Sequence, residues 1–306
     1  MWRRAGHASR VSSISGSGFT IPCPTHHNAT CPVMLLNRVV RRAGLARAIA
    51  WCGPQASREK HMSPVDLREG MALPSTWDRF YAEKRAGDFR HFDWFFGYSA
   101  VSEQLVPFVR GGARDGACHV LDVGCGTSDF GASLYRASRL PVHVSCVDFS
   151  PVAVELMERQ WRERPPAPGH PSSTLRFMLA DAARLGGLPG FEDGAFGLVL
   201  DKGTVDAAIR ANDGGRAARR LLAEGLRLLR PGCGALLQFS DEDPDARCPW
   251  LEEAAAVAGG GPGRVAVTAR ELGEFRGVAY YMYVLRKQEV DDDEDDDDDD
   301  DDKKKD

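Results

Sequence analysis

Two apolar runs, each ending in a carboxylate, constrain the fold of this chain more than any other feature. The first run, CHVLDV, contains Asp122 near its end and then breaks into a loop with Gly124 and Gly126. The second run, VHVSCVD, ends at Asp148, twenty-two residues after Gly126. This pattern predicts a parallel β-α-β unit that holds a nucleotide where the first strand meets its helix. Glycine lets the ligand approach the backbone closely, and the carboxylate of the second strand would face ribose hydroxyls.

Short apolar runs alternate with helix-like segments through the body of the chain. The runs cover 118–123, 142–147, 174–179, 196–200, 233–239, 263–268 and 277–285, and the helical segments cover 128–138, 151–164 and 215–230. This alternation predicts an α/β fold, with a Rossmann-like seven-stranded sheet and helices on both faces. No helical crossover separates the last two runs, so these two strands are predicted to be antiparallel.

The glycine loop is compatible with NAD(P), with S-adenosylmethionine, or with a purely structural turn. A dinucleotide fingerprint requires a small residue at the third position of GxGxxG, and this chain has Asp129 there. Methyltransferases instead use an acidic-x-Gly-x-Gly-x-Gly pattern, which this chain matches at Asp122, Gly124 and Gly126. Ser128 replaces the last glycine, but it is small and can cap the following helix. The loop and the carboxylate of the second strand therefore favour S-adenosylmethionine and a class I methyltransferase sheet.

Two further strand ends carry side chains that suit this cofactor. The third strand ends FMLADA and places Asp181 where methyltransferases commonly contact the adenine amino group; a helix N-cap is the alternative. The fourth strand ends in Asp201 and Lys202, at the edge where substrates bind in open α/β sheets; a buried ion pair is the alternative. Lys-Gly-Thr follows Asp201, without the proline turn that holds planar nitrogens. An aliphatic amine is therefore the favoured methyl acceptor.

Five strings give the chain a specific likeness to a known family: FDWFFGY (92–98), LDVGCGTS (121–128), VDFSPVAV (147–154), DKGTVDA (201–207) and QFSDEDPDAR (238–247). Together they resemble the mitochondrial citrate synthase lysine methyltransferases, which are related to the seven-β-strand lysine methyltransferases that modify elongation factor 1A. The likeness covers roughly Ser75 to Leu285. It implies a protein-lysine N-methyltransferase that uses S-adenosyl-L-methionine, has citrate synthase as its substrate and works in the mitochondrial matrix.

The same resemblance implies which residues contact the cofactor. Three of them precede the sheet, namely Trp77, Tyr81 and Trp94; without the resemblance, Trp77, Trp94 and Tyr98 would be interpreted as core aromatics. The others belong to the loop and the strand ends, namely Gly124, Asp148, Phe149, Asp181, Ala182 and Lys202, and the loop pattern adds Asp122 and Gly126 to the candidate cofactor residues. A lysine substrate must arrive neutral although its solution pKa is about 10.4, and Asp201 is the candidate that orients its amine. Asp241 and Asp243 are further candidates, unless they belong only to a solvated acidic loop.

Charge is distributed unevenly along the chain. Residues 1–60 contain eight arginines, one lysine and a single acidic residue, whereas residues 291–306 contain thirteen acidic residues and three lysines. The first composition, with an amphipathic basic stretch from Met34, predicts a mitochondrial transit peptide or a disordered basic arm. The second predicts an unfolded acidic tail. The body between them is nearly neutral, so no nucleic acid partner is expected, and no apolar run reaches about 18 residues, so no membrane span is expected.

The predicted organisation has four parts. They are a transit peptide or basic arm (1–60), an N-terminal helical cover (61–114), the methyltransferase domain (115–288) and the acidic tail (289–306). We expect a monomer. We expect no metal, because the loosely metal-like group of Cys23, His26, His27 and Cys31 lies in the predicted transit peptide. The rival interpretations are a small-molecule methyltransferase of the same fold and a non-catalytic assembly factor that binds S-adenosylmethionine.

Overall fold

The computed structural model describes residues 62–85, 89–258, 261 and 263–288 of the chain. The predicted transit peptide, its group of cysteines and histidines, and the acidic tail lie outside the described residues. Four short elements precede the main sheet: α1 (Pro64–Gly70), α2 (Pro74–Arg85), a 3-10 turn (Tyr98–Ala100) and α3 (Ser102–Gly111).

The strands of the main sheet and the remaining helices follow. The elements are β1 (Ala113–Arg114), β2 (Ala117–Val123), α4 (Phe130–Ala137), β3 (Val142–Asp148), α5 (Pro151–Glu163), β4 (Thr174–Leu179), β5 (Leu198–Lys202), α6 (Thr204–Ile209), α7 (Arg216–Leu228), β6 (Ala235–Ser240), α8 (Pro244–Ala258), β7 (Val265–Phe275) and β8 (Val278–Lys287). In this described part of the chain, no helix separates β1 from β2, β4 from β5 or β7 from β8.

The strands form one mixed sheet in the order β4-β3-β2-β5-β6-β8-β7, and β1 pairs with β2 outside this path. Strands β2 to β6 pair in parallel, whereas β8 is antiparallel to both β6 and β7. The predicted class I methyltransferase sheet with an antiparallel last pair is therefore confirmed. The strand order reverses between β2 and β5, and in open α/β sheets this switch point creates a crevice at the carboxyl ends of the strands.

Each face of the sheet has its own hydrophobic core, because successive side chains of a strand point to opposite faces. Val120 and Leu200 belong to the core that also contains residues of α3, α4 and α5. Leu121 and Val199 belong to the core that contains residues of α7 and α8. A third, smaller cluster packs α2 against α5 and includes Tyr81. The N-terminal helices thus lie against the same end of the sheet as the glycine loop.

Four elements differ from the sequence-based expectations. Strand β1 lies within the predicted helical cover and adds an eighth strand to the predicted seven. Helix α6 was not among the predicted helices; it is six residues long and starts after Gly203, which is left-handed with φ 90°. Helix α8 was also not predicted, and it begins within the expected acidic loop and contains Pro249. Strand β7 continues beyond residue 268 to Phe275, through a register shift near Gly273, and forms a hairpin with β8.

Candidate active site

A cavity of about 370 Å³ opens at the carboxyl ends of β2, β3 and β5. Its volume is within the range of cofactor sites, about 300–1,000 Å³. Eleven of the predicted site residues line it: Trp77, Tyr81, Trp94, Asp122, Gly124, Gly126, Asp148, Phe149, Asp181, Ala182 and Lys202. Asp201, the predicted residue for amine orientation, is not part of the lining.

The glycine loop after β2 needs its two glycines for conformation and for space. Gly124 and Gly126 are left-handed, with φ of 61° and 53°, which other residues adopt at a cost. A Cβ atom on Gly124 would overlap the Thr204 side chain, and one on Gly126 would overlap the Tyr81 hydroxyl. The loop is also tied to β3, because the Gly126 N–H donates to Asp148 Oδ2 at 2.8 Å.

Asp148 is the last residue of β3 and lines the cavity, where its carboxylate can face a ribose. Its Oδ1 accepts the Ser150 N–H at 2.8 Å, so each oxygen has one backbone donor. Burial raises the pKa of Asp148 to about 6, although these two backbone hydrogen bonds act in the opposite direction. Each carboxylate oxygen still has acceptor capacity. Asp148 can therefore bind two backbone amides and a pair of ligand hydroxyls at the same time.

Gly131 is a structural glycine that the sequence analysis missed. It lies in the first turn of α4, where a Cβ atom would crowd the Cys146 sulfur and the Asp122 carboxylate. In a dinucleotide motif, the third glycine lets the helix approach the strand closely. In this chain Gly131 allows the corresponding close approach of α4 to β2 and β3. The signal was present in the sequence, as a glycine shortly after the loop.

One wall of the cavity is aromatic. Trp77 stacks on Tyr81, with ring centroids 5.9 Å apart, and Trp94 meets both Trp77 and Phe92 edge-on at 5.9 Å. The Trp77 indole donates to the Met71 carbonyl at 2.7 Å. Burial and the nearby Asp148 carboxylate raise the pKa of Tyr81 well above its usual value, so its phenol stays neutral. Phe92 also lines the cavity and was not among the predicted residues.

The two residues that end β5 point to opposite faces of the sheet, as strand geometry requires. Lys202 enters the cavity wall, where its ammonium donates to the Trp94 carbonyl at 2.8 Å and lies 3.4 Å from Asp93 Oδ1. Burial lowers the pKa of Lys202, and the nearby Asp93 and Asp122 carboxylates oppose this effect. Burial likewise raises the pKa of Asp122 to about 7 against the influence of Lys202.

Asp201 instead faces the α7–α8 side and is only 1% exposed. Its Oδ1 accepts the N–H groups of Thr204 and Val205 at 2.9 and 3.2 Å, and its Oδ2 accepts from Gln238 Nε2 at 3.2 Å. The carboxylate therefore holds the first turn of α6. Burial raises the pKa of Asp201 to about 7. Its role in orienting the amine stays a prediction, and in this geometry Asp201 would act through α6 rather than by contact.

The remaining wall is formed by residues 181–184 and by α7. Asp181 Oδ1 accepts the Ala183 N–H at 2.9 Å, and the carboxylate lies 3.8 Å from the Arg184 guanidinium. Asp181 thus caps a tight turn while it lines the cavity. The next element after it is β5, so the alternative interpretation as a helix N-cap is wrong, and its contact with adenine stays a prediction. Arg220 and Leu221 of α7 complete this wall and were not predicted.

The residues around the cavity fit S-adenosylmethionine. Asp148 offers acceptors for ribose hydroxyls, and Phe149, Ala182 and Leu221 offer apolar surface for a flat base. Aromatic faces attract cations, which suits a sulfonium at the other end. Within the described residues, no group of His, Cys, Asp or Glu side chains could hold a metal ion. The helices described here are all too short or too polar to span a bilayer.

Comparison with known proteins agrees with this class of site. A family model described as "Methyltransferase domain" matches residues 120–232, which contain the glycine loop, Asp148 and Lys202. Fold and site together define an S-adenosylmethionine-dependent methyltransferase of class I.

Two curated relatives narrow the assignment. A Danio rerio protein named mitochondrial citrate synthase-lysine N-methyltransferase is 42% identical over 233 residues, which cover 75% of this chain and 89% of the relative. A Homo sapiens protein of the same name is 47% identical over 214 residues, or 69% and 84% of the two chains. A Mus musculus protein named EEF1A lysine methyltransferase 4 is more distant, at 29% over 203 residues, or 63% and 71%. The chain belongs to the citrate synthase-lysine N-methyltransferase family.

Proposed function

We propose that this protein transfers methyl groups from S-adenosylmethionine to a lysine side chain of citrate synthase in mitochondria. One observation carries the proposal: a cavity that fits this cofactor lies in a chain that is 42% and 47% identical, over most of its length, to two proteins named for this activity. When bound, the cofactor supplies an activated methyl group on a sulfonium. The residues of the chain must bind it, exclude water and receive a neutral amine.

Each part of the cavity has a proposed task. Asp148 holds the ribose hydroxyls, and Asp181 and Ala182 contact the adenine. The glycine loop, with Asp122 beneath it, receives the methionine portion. The aromatic wall excludes water and lies against the sulfonium. The tasks are supported by the position of these residues around one cavity and by the acceptor capacity that Asp148 retains beside its two amide bonds.

The acceptor lysine must lose a proton before it can attack. Its pKa in water is about 10.4, and burial of an amine against apolar surface disfavours the charged form. The aliphatic part of the cavity wall, which includes Ala207, Ala208 and Leu221, provides such a surface. Asp201 contributes by fixing the start of α6, where the Thr204 hydroxyl in turn donates to the Val123 carbonyl at 2.9 Å. Catalysis then depends mainly on the alignment of nucleophile and methyl group.

The proposal also includes the cellular setting. The protein would act in the mitochondrial matrix as a monomer, without nucleic acid or membrane. The names of the relatives support a mitochondrial location, and the basic, acid-free composition of residues 1–58 supports import. Removal of the predicted transit segment would leave the described residues, which include the cavity residues named above.

The experiment is tritiated methyl transfer into a mitochondrial extract, run beside a portion from which citrate synthase has been removed. We expect label in the citrate synthase band, its loss on depletion and its return when purified citrate synthase is added. The Asp148→Asn variant is the matched control and should give little label. Label in another band would overturn the substrate but keep the reaction. Label in the small-molecule fraction would favour the small-molecule rival, and cofactor binding without label in any fraction would favour the assembly factor.

A further inference from the structure

Residues 89–98, here called the strap, connect the N-terminal helices to the glycine loop. The Phe92 N–H donates to the Thr127 carbonyl at 3.1 Å. Asp93 Oδ1 accepts the Ser128 hydroxyl at 2.5 Å. Thr127 and Ser128 directly follow Gly126, so the strap is joined to the loop that receives the cofactor.

Lys202 joins the same strap to the end of β5. Its side chain is 6% exposed, and its ammonium donates to the Trp94 carbonyl at 2.8 Å. The ammonium also lies 3.4 Å from Asp93 Oδ1 and 5.5 Å from the centre of the Phe130 ring. A buried ammonium needs fixed partners in place of water. The hydrogen-bond partners of this one belong to the strap.

The carbonyl that Lys202 binds lies at an unusual turn. Phe95 is left-handed, with φ 64°, a conformation that residues other than glycine rarely adopt. The Phe96 N–H donates back to the Trp94 carbonyl at 2.8 Å, which closes a three-residue turn around Phe95. One oxygen therefore accepts both the amide that closes the turn and the Lys202 ammonium.

This turn determines where the Trp94 ring lies. The indole packs on Gly203, where a Cβ atom would overlap it, and the ring forms part of the cavity wall. Lys202 thus holds the backbone of Trp94, while Gly203, the residue that follows β5, leaves room for its ring. The contacts of Lys202 and Gly203 fix one aromatic residue from two sides.

We propose that Lys202 is a positioning residue. By binding the Trp94 carbonyl it holds the strap against the glycine loop, so that the Trp94 ring forms part of the wall of the cofactor cavity. The inference deepens the proposed function and rests on it only for the identity of the cofactor. It differs from a direct contact between Lys202 and the cofactor, because it predicts that the effect of Lys202 on binding depends on Trp94.

A double-mutant cycle separates these two roles. Lys202→Met keeps the aliphatic stem and removes the donor, and we expect the affinity for S-adenosylhomocysteine, measured calorimetrically, to fall about tenfold or more. In the Trp94→Ala background the same substitution should lower the affinity less than about twofold, because coupled residues are not additive. An equal loss in both backgrounds would show that Lys202 contacts the ligand directly, and the proposal would be wrong.

A second measurement uses the ligand-free protein. The Trp94 component of acrylamide quenching, obtained by difference from Trp94→Phe, should rise in Lys202→Met and stay unchanged in Arg184→Met, which removes another cation of the cavity wall without touching the strap. Unchanged quenching in Lys202→Met would also overturn the proposal. Asp93→Asn weakens the attraction between Lys202 and the strap, and it replaces Lys202→Met in this measurement if that variant does not fold. Failure of citrate synthase methylation by the unaltered protein would leave both measurements interpretable.

Discussion

Acidification should weaken cofactor binding over a pH range that Asp148 sets. Its carboxylate already accepts two backbone N–H groups, and the ribose hydroxyls need further acceptors on the same two oxygens. Burial raises its pKa to about 6. A protonated carboxyl loses acceptor capacity, so binding should require the ionised form.

The magnitude follows from that pKa. The ionised fraction falls from nearly all at about pH 7.5 to about a tenth at about pH 5, so the Kd should rise about tenfold, or about 1.4 kcal/mol. The contribution of Asp148 to the stability of the free protein has the opposite pH dependence. Because the folded pKa of Asp148 lies above its ordinary value of 3.8, its stabilising contribution is present below that value and is lost as pH rises through about 6. Loss of binding in acid is therefore not explained by the effect of Asp148 on folding.

The assay is calorimetric titration with S-adenosylhomocysteine between about pH 5 and 8, on the unaltered protein and on Asp148→Asn. We expect a rise in Kd below about pH 6 that the variant, a weaker binder throughout, does not show. A rise that begins near pH 7 would instead implicate Asp122, whose pKa burial raises to about 7. An equal Kd at both ends of the range, or the same slope in Asp148→Asn, would refute the assignment of Asp148.

Two further substitutions test the site, and a third tests a buried ion pair between α6 and α8, away from the cavity lining. Gly126→Ala forces alanine into a left-handed position, which costs about 1–2 kcal/mol, and displaces Tyr81; cofactor affinity measured by titration should fall by at least the corresponding fivefold to thirtyfold. Asp201→Asn should lower the rate of methyl transfer more than it lowers cofactor affinity, and an unchanged rate at unchanged affinity would disprove its role. Arg247→Met removes the partner of Asp206, 2.6 Å away, and should cost about 3–5 kcal/mol of unfolding free energy in urea titrations.

Much of the fold was predictable because its signals are local. Each parallel strand is a short apolar run, and the glycine loop and Asp148 lie within 25 residues of each other in the sequence. The structure places the eleven predicted cofactor residues around one cavity. Their tasks there remain to be measured.

The direction of Asp201 could not be predicted in the same way. Strand β5 is covered on both faces, so its first three residues are apolar whichever way they point and no alternation shows which face Asp201 enters. Only the pairing with β6, which sets Asp201 opposite Gln238, decides that its side chain enters the α7–α8 side. Of these two residues at the end of β5, only Lys202 therefore enters the cavity.

Two other features depend on tertiary packing. Leu221 and Arg220 reach the cavity because α7 packs on one face of the sheet with its first turns beside the cavity, and no local motif marks them. Helix α8 was not predicted from the sequence because it begins within an acidic stretch and contains Pro249, both of which weaken a helical pattern. Its existence depends on the packing of residues such as Leu251 against the sheet.

The most direct test of the central claim uses purified components. The protein is incubated with S-adenosylmethionine and purified citrate synthase, and the mass of intact citrate synthase is followed before the modified peptide is identified. We expect an increase in multiples of one methyl group, confined to a lysine, and no increase with Asp148→Asn. If the protein binds the cofactor while citrate synthase keeps its original mass, the protein is not a methyltransferase of citrate synthase.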